Sequence, residues 1–180
     1  MSDLTITHAG INTTKNTGAE VLTAEKKLTQ MKVDIVEITP STTTNACSLS
    51  EIIFDNEKIS NVVATKGGSC ILQSIVLVDD DDHGVPIDLV FFNKSSSLGT
   101  EGSPITAGDG AVPDAILGVV RITDYLDGVA WKAGHKQNIG MILKADADSR
   151  DIYVAAINKN PSAKTWTASG LLLKLGVIQD

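Results

Sequence analysis

Residues 67–93 read GGSCILQSIVLVDDDDHGVPIDLVFFN. Two runs rich in aliphatic and aromatic residues, 70–78 and 87–92, flank four aspartates (79–82), His83 and Gly84. β-Branched and aromatic runs bounded by turn-forming residues read as strands. The stretch therefore predicts a long strand, an exposed turn and an antiparallel return strand. The first strand has no clean alternation until Gln73 and Ser74, which predicts cover on both of its faces.

The same grammar extends in both directions. Residues 32–38 (KVDIVEI) predict a strand that stops before Pro40, followed by a polar loop at 41–45. Further strands are predicted at 49–54, broken by Asp55-Asn56, and at 60–65, ended by Gly67-Gly68. Beyond the opening stretch they follow at 116–123, 129–132, 138–145, 152–157 and 171–178. Turn signals separate them at 126–128, 133–134, 146–151 and 158–161. Gly118, Gly140 and Gly176 each interrupt an apolar run, which predicts a bulge or a close backbone approach. Residues 93–114 are rich in Gly, Ser, Pro and Asp. They form a loop too long to be a simple connection, and Pro113-Asp114 opens a single helical turn. Nine or ten short strands with little helix predict an all-β domain: an antiparallel β-sandwich, with the jelly roll or a barrel as variants.

Residues 1–31 differ. They are rich in Thr, Asn, Lys and Glu, with Leu4, Ile6, Ile11, Val21, Leu22 and Leu28 thinly spread. Residues 19–31 carry a short helical pattern. The division is an N-terminal arm or short helix at 1–31 and a β-sandwich domain at 32–180. The arm reads equally as a frayed terminus or as a segment that orders against a neighbouring subunit. Fully extended it spans on the order of 100 Å.

Bulk composition narrows function. A chain of 180 residues with 42% hydrophobic content suits one domain with its own core. The formal charge is −7, and the 15 Lys and Arg are scattered, so nucleic acid and anionic membrane are not expected partners. No run approaches a membrane span, and the start MSDLTITHAG lacks the pattern of a secretory signal. Cys47 and Cys70 read as reduced core thiols, with a disulfide as the alternative.

Catalytic motifs are sparse. The run Asp79–Asp82 with His83 and Asp88 is the best metal candidate, yet its spacing fits no calcium loop. It reads more simply as a solvated, self-repelling tip. His8, His83 and His135 lie in no zinc frame, and nucleophile-elbow and phosphate-loop patterns are missing. No enzyme activity, cofactor or metal is expected. Trp131, Trp166, Tyr125 and Tyr153 suit sugar stacking, but at 4% aromatics they read first as core.

Three stretches, 67–93, AILGVVRITDYLDG at 115–128 and YVAAINKNPSAKTWTASGLLLKLGVIQD at 153–180, together resemble a group of tailed-bacteriophage virion structural proteins. The resemblance runs over about 33–180 and leaves the first 30 residues outside. It implies a β-sandwich that decorates or cements the capsid exterior, made in the host cytoplasm and carried on the virion. The implied partners are the major capsid protein and the chain itself, as a homotrimer or homodimer. No catalytic residues come with it. A tail or adsorption module binding host glycans is the alternative. The expected partner-binding residues are Leu4, Ile6, Ile11, Val21, Leu22 and Leu28 in the arm, and Leu98 and Ile105 in the long loop, since loops on a rigid scaffold carry recognition.

Overall fold

The computed structural model describes residues 32–179. Residues 1–31, and with them the arm, its helical pattern and Leu4 through Leu28, lie outside the described residues. The described elements are β1 (Lys32–Ile38), β2 (Ile52–Ile59), β3 (Ser69–Asp79), β4 (Ile87–Phe92), α1 (Ala111–Ala115), β5 (Ile116–Ile122), β6 (Tyr125–Asp127), β7 (Lys132–Lys144), β8 (Ile152–Asn158) and β9 (Leu171–Gln179). They build two antiparallel sheets. One runs β1-β9-β3-β7-β6 and the other β2-β8-β4-β5. The domain is an all-β sandwich.

The opening stretch is not a hairpin. β3 pairs with β9 along one edge and with β7 along the other, over nearly its whole length. A strand has two edges, so no edge is left for β4. β4 joins the opposite sheet between β5 and β8, and residues 80–86 carry the chain from one sheet to the other. The cover on both faces predicted for β3 belongs instead to β4, which is buried at every position. β3 alternates, with Leu72, Ile75 and Leu77 fully buried and Ile71 and Val76 exposed.

The main core lies between the sheets. Ile75, Leu77, Leu173 and Leu175 from one sheet share a buried cluster with Ile87, Leu89, Phe91, Ile152 and Val154 from the other. Alternation sends Val90 and Phe92 of β4 to its outer face. There they join Ile52, Ala155 and Ile157 in a second cluster with Leu98, Val112 and Ala115. The long loop is thus a fitted cover over the four-stranded sheet. Asp55 of β2 accepts from the Leu98 amide (2.9 Å) and the Ser97 hydroxyl (2.6 Å), and Asn56 accepts from the Ser96 amide (3.0 Å).

Other differences have local causes. Residues 60–65 form no strand. Asn61 has a positive φ of 57°, and Val62 and Val63 plug the end of the core. Their backbone carbonyls accept from Gln179 and Arg150 instead of a ladder partner. β2 runs through Asp55-Asn56 by bulging there, with Asn56 at φ 54°. Ala133-Gly134 is not a turn, because β7 is continuous to Lys144. Gly118, Gly140 and Gly176 all sit at register shifts or close approaches.

At Gly134 a side chain would collide with Ile122 Cγ2 and would stand 2.7 Å from the Tyr125 ring. Those atoms belong to the packed interior, which cannot yield without off-rotamer shifts. Gly134→Ala should cost about 1–3 kcal/mol, seen as a lower urea midpoint at unchanged slope. An unchanged midpoint would show that the site has slack.

Candidate interaction surface

The aspartate run is only partly the solvated tip the sequence predicts: Asp80 and Asp82 are exposed, while Asp81 is half-buried and Asp79 is buried. Asp79 ends β3 fully buried. Its carboxylate accepts from the backbone amides of Asp81 (3.2 Å), His83 (3.2 Å) and Gly84 (3.0 Å), which draws the crossing segment tight. Burial pushes its carboxyl above the ordinary value, against the pull of those amides. Asp81 accepts from the Thr167 amide (2.8 Å) and hydroxyl (3.2 Å). A side chain at Gly170 would strike the same carboxylate oxygen. Asp82 pairs with Lys132 at 3.1 Å. The His83 ring nitrogen bonds the Thr165 carbonyl at 2.7 Å, and its ring meets Trp166 edge-on with centroids 5.3 Å apart. Trp166 is a core residue.

These contacts occupy most of the groups that suggested chemistry. Asp88, the further carboxylate of that set, makes a two-pronged pair with Arg121 (2.6 and 2.7 Å) on the outer face of the four-stranded sheet. Cys47 and Cys70 are buried free thiols, and burial pushes both up to about 11, so neither is a nucleophile at neutral pH. Among the described residues no three His, Cys, Asp or Glu converge on a point that could hold a metal, and no helix is long and apolar enough to cross a membrane. A shallow cleft of about 580 Å³ is lined by Gly67, Asn93, Leu117 and residues 144–147. Tyr125 and Tyr153 are half-buried against the two clusters, while Trp131 is 40% exposed at the β6–β7 tip.

What remains is surface. The register aligns the outer face of the five-stranded sheet into cross-strand rows. The first is Val33, Ile178, Ile71 and Ile142, contributed by β1, β9, β3 and β7. The second is Ile35, Gly176, Ser74 and Gln137, and the third is Glu37, Lys174, Val76 and His135. The fourth is Leu172, Val78, Ala133 and Leu126. Val33 is 74% exposed, Ile142 66% and Leu126 64%. Directly opposed aliphatics at this spacing form an apolar row at each end of the face, with the more polar second and third rows between them. No described residue covers it, whereas the other sheet has its fitted loop. Alternation along 70–78 was the available signal for this open face, but the bulge at Gln73 obscures it.

No family model matches the sequence, and no curated protein does. Among solved structures the chain is similar to a chain from the capsid of Ralstonia phage GP4, at 16% identity and a TM-score of 0.33, with 84% of this chain and 86% of that one covered. Of the loop residues expected to bind a partner, Leu98 is buried in the second cluster and Ile105 is 45% exposed.

Asp79→Ala orphans three backbone amides and should destabilise the domain by about 2–4 kcal/mol. Asp79→Asn keeps one acceptor oxygen and should cost less. A carboxyl raised by burial contributes most below its unfolded value and loses that contribution as pH rises through the raised one. The gap in urea-unfolding free energy between wild type and Asp79→Asn should therefore widen toward acid pH. A gap that is flat with pH, or equal losses for both variants, would contradict the assigned role.

Proposed function

We propose that this protein is a bacteriophage virion structural protein that decorates the capsid exterior and cements it by protein–protein contacts. The observation that carries the adhesive half of this reading is the pair of registered aliphatic rows on the open face of a rigid sheet. An exposed apolar patch of that extent marks a site of association. The virion half is supported by the three stretches that resemble phage structural proteins. An acidic chain of net charge −7 also suits a protein that must stay dispersed at high copy number before docking.

In this reading the major capsid protein is the main partner. Its contacts are the arm residues Leu4, Ile6, Ile11, Val21, Leu22 and Leu28, together with Ile105 on the cover loop. Leu98 supports that loop from beneath. Several weak contacts from one bound copy reinforce each other, because every contact after the first is effectively intramolecular.

A second reading, a tail module binding host glycans, draws on the exposed Trp131 at the β6–β7 tip. Protein confined to the tail at a few copies per particle would favour it over decoration.

Heads stripped of this protein should open at a lower temperature than complete heads, and adding it back should restore the difference. Protein lacking residues 1–31 should keep its β-type circular dichroism and attach more weakly. Identical melting of stripped and complete heads would refute cementing.

A further inference from the structure

Sheets that end a sandwich are ordinarily covered or polar on the outside, and here the two sheets differ. The four-stranded sheet carries the cover held by Asp55 and Asn56. The five-stranded sheet presents aliphatic rows at both ends of its outer face, with a more polar band between them. Of the described strand residues, the register puts one acid on that face, Glu37, and Lys174 holds it at 2.9 Å. Lys144, opposite Ser69 at the rim, adds a positive charge. The acidic excess that keeps copies of this chain apart therefore does not act across this face.

We propose that the outer face of the five-stranded sheet is the contact between two copies of this chain, packed sheet on sheet. Take a two-fold axis in the interface, parallel to the strands and between β9 and β3. It lays each row on itself, as an isologous contact requires. Val33 then faces the partner's Ile142, and Ile178 faces the partner's Ile71. In the third row Glu37 faces the partner's His135. In the fourth, Leu172 faces the partner's Val78. In the two end rows aliphatic side chains meet aliphatic ones; in the band between them Ile35 meets the partner's Gln137 and Lys174 meets the partner's Val76, and the lone acid meets an imidazole.

The dimensions suit a dimer. The four strands that face one another, β1, β9, β3 and β7, span roughly 19 Å and the four rows roughly 27 Å. That patch of roughly 500 Å² on each copy gives roughly 1,000 Å² in total, the size a specific interface has to reach. Paired sheets pack about 10 Å apart with strands nearly aligned, which the Val, Ile and Leu side chains of the two end rows permit. The contact deepens the adhesive reading and rests on it for its purpose, though not for its geometry. It leaves the cover loop, on the opposite sheet, free to meet a different protein.

The test is sedimentation equilibrium of the full chain across the micromolar range. A dimer is expected. Ile142→Glu sets an unpaired charge against Val33 at both symmetry-related positions, and it should raise the dissociation constant at least about a hundredfold. Ile71→Glu should do the same, while Val129→Glu, at the exposed β6–β7 tip, should leave it unchanged. Circular dichroism confirms that each variant is folded. A monomer throughout, or a dimer indifferent to both Ile142→Glu and Ile71→Glu, would overturn the proposal. So would a monomer that takes up hydrophobic dye only after residues 1–31 are removed, since that segment would then be the cover. Attachment to phage particles is a separate readout. A monomer that still attaches sinks the dimer and leaves the function standing, whereas a dimer that attaches to no particle does the reverse.

Discussion

Both edges of β3 are filled, and the rest of the architecture follows from that. With β7 on one side and β9 on the other, the chain leaving Asp79 has nowhere to pair in the same sheet. It must turn out of the plane and begin a second layer. The buried Asp79 carboxylate makes this turn compact by gathering three amides that would otherwise be unpaired at the rim. Once β4 starts the other layer, β5 and β8 pair beside it. Ile87, Leu89 and Phe91 then meet Ile75 and Leu77 across the core. A run that looks acidic and reactive is thus the hinge of the topology, with Asp79 and Asp81 engaged by donors of the fold and Asp82 by Lys132, while Asp80 faces solvent.

The same constraint produces the asymmetry on the outside. The second layer is held centrally by a strand buried on both faces, so something must cover its outer side. Residues 93–115 do so through Leu98, Val112 and Ala115. The first layer has no such cover among the described residues, and its aliphatic side chains lie in register on the surface. Fully burying one such side chain is worth about 1.5–3 kcal/mol, so an association through this face has to gather several of them to offset the roughly 4–15 kcal/mol lost in translational and rotational freedom. The adhesive role proposed above draws on this surface and not on any pocket or titratable cluster.

Much of this was legible in the sequence. The strand at residues 32–38 coincides with β1, because alternation ending before a proline leaves little freedom. The strands at 87–92, 152–157 and 171–178 fall within a residue or so of β4, β8 and β9. The sandwich class followed from their number and spacing. Pairing was not legible. Periodicity reports which face a residue takes and says nothing about which strand lies alongside, so adjacency in sequence suggested a β3–β4 hairpin that does not exist. Residues 60–65 look strand-like because Val62 and Val63 are apolar, yet their burial comes from plugging an end of the core. Ala133-Gly134 carries a turn signal, although the glycine is there to admit Ile122 and Tyr125. The open aliphatic face was hardest to see, since an exposed isoleucine and a buried one are the same letter until register and cover are known.

The occupancy of the two β3 edges can be measured directly by nuclear Overhauser contacts between backbone protons of the isotope-labelled protein. The account predicts that Ile75 contacts both Lys136 and Leu175, and that Leu77 contacts both Gly134 and Leu173, in the antiparallel pattern. Backbone contacts joining β3 directly to β4, such as Leu77 to Leu89, would contradict it.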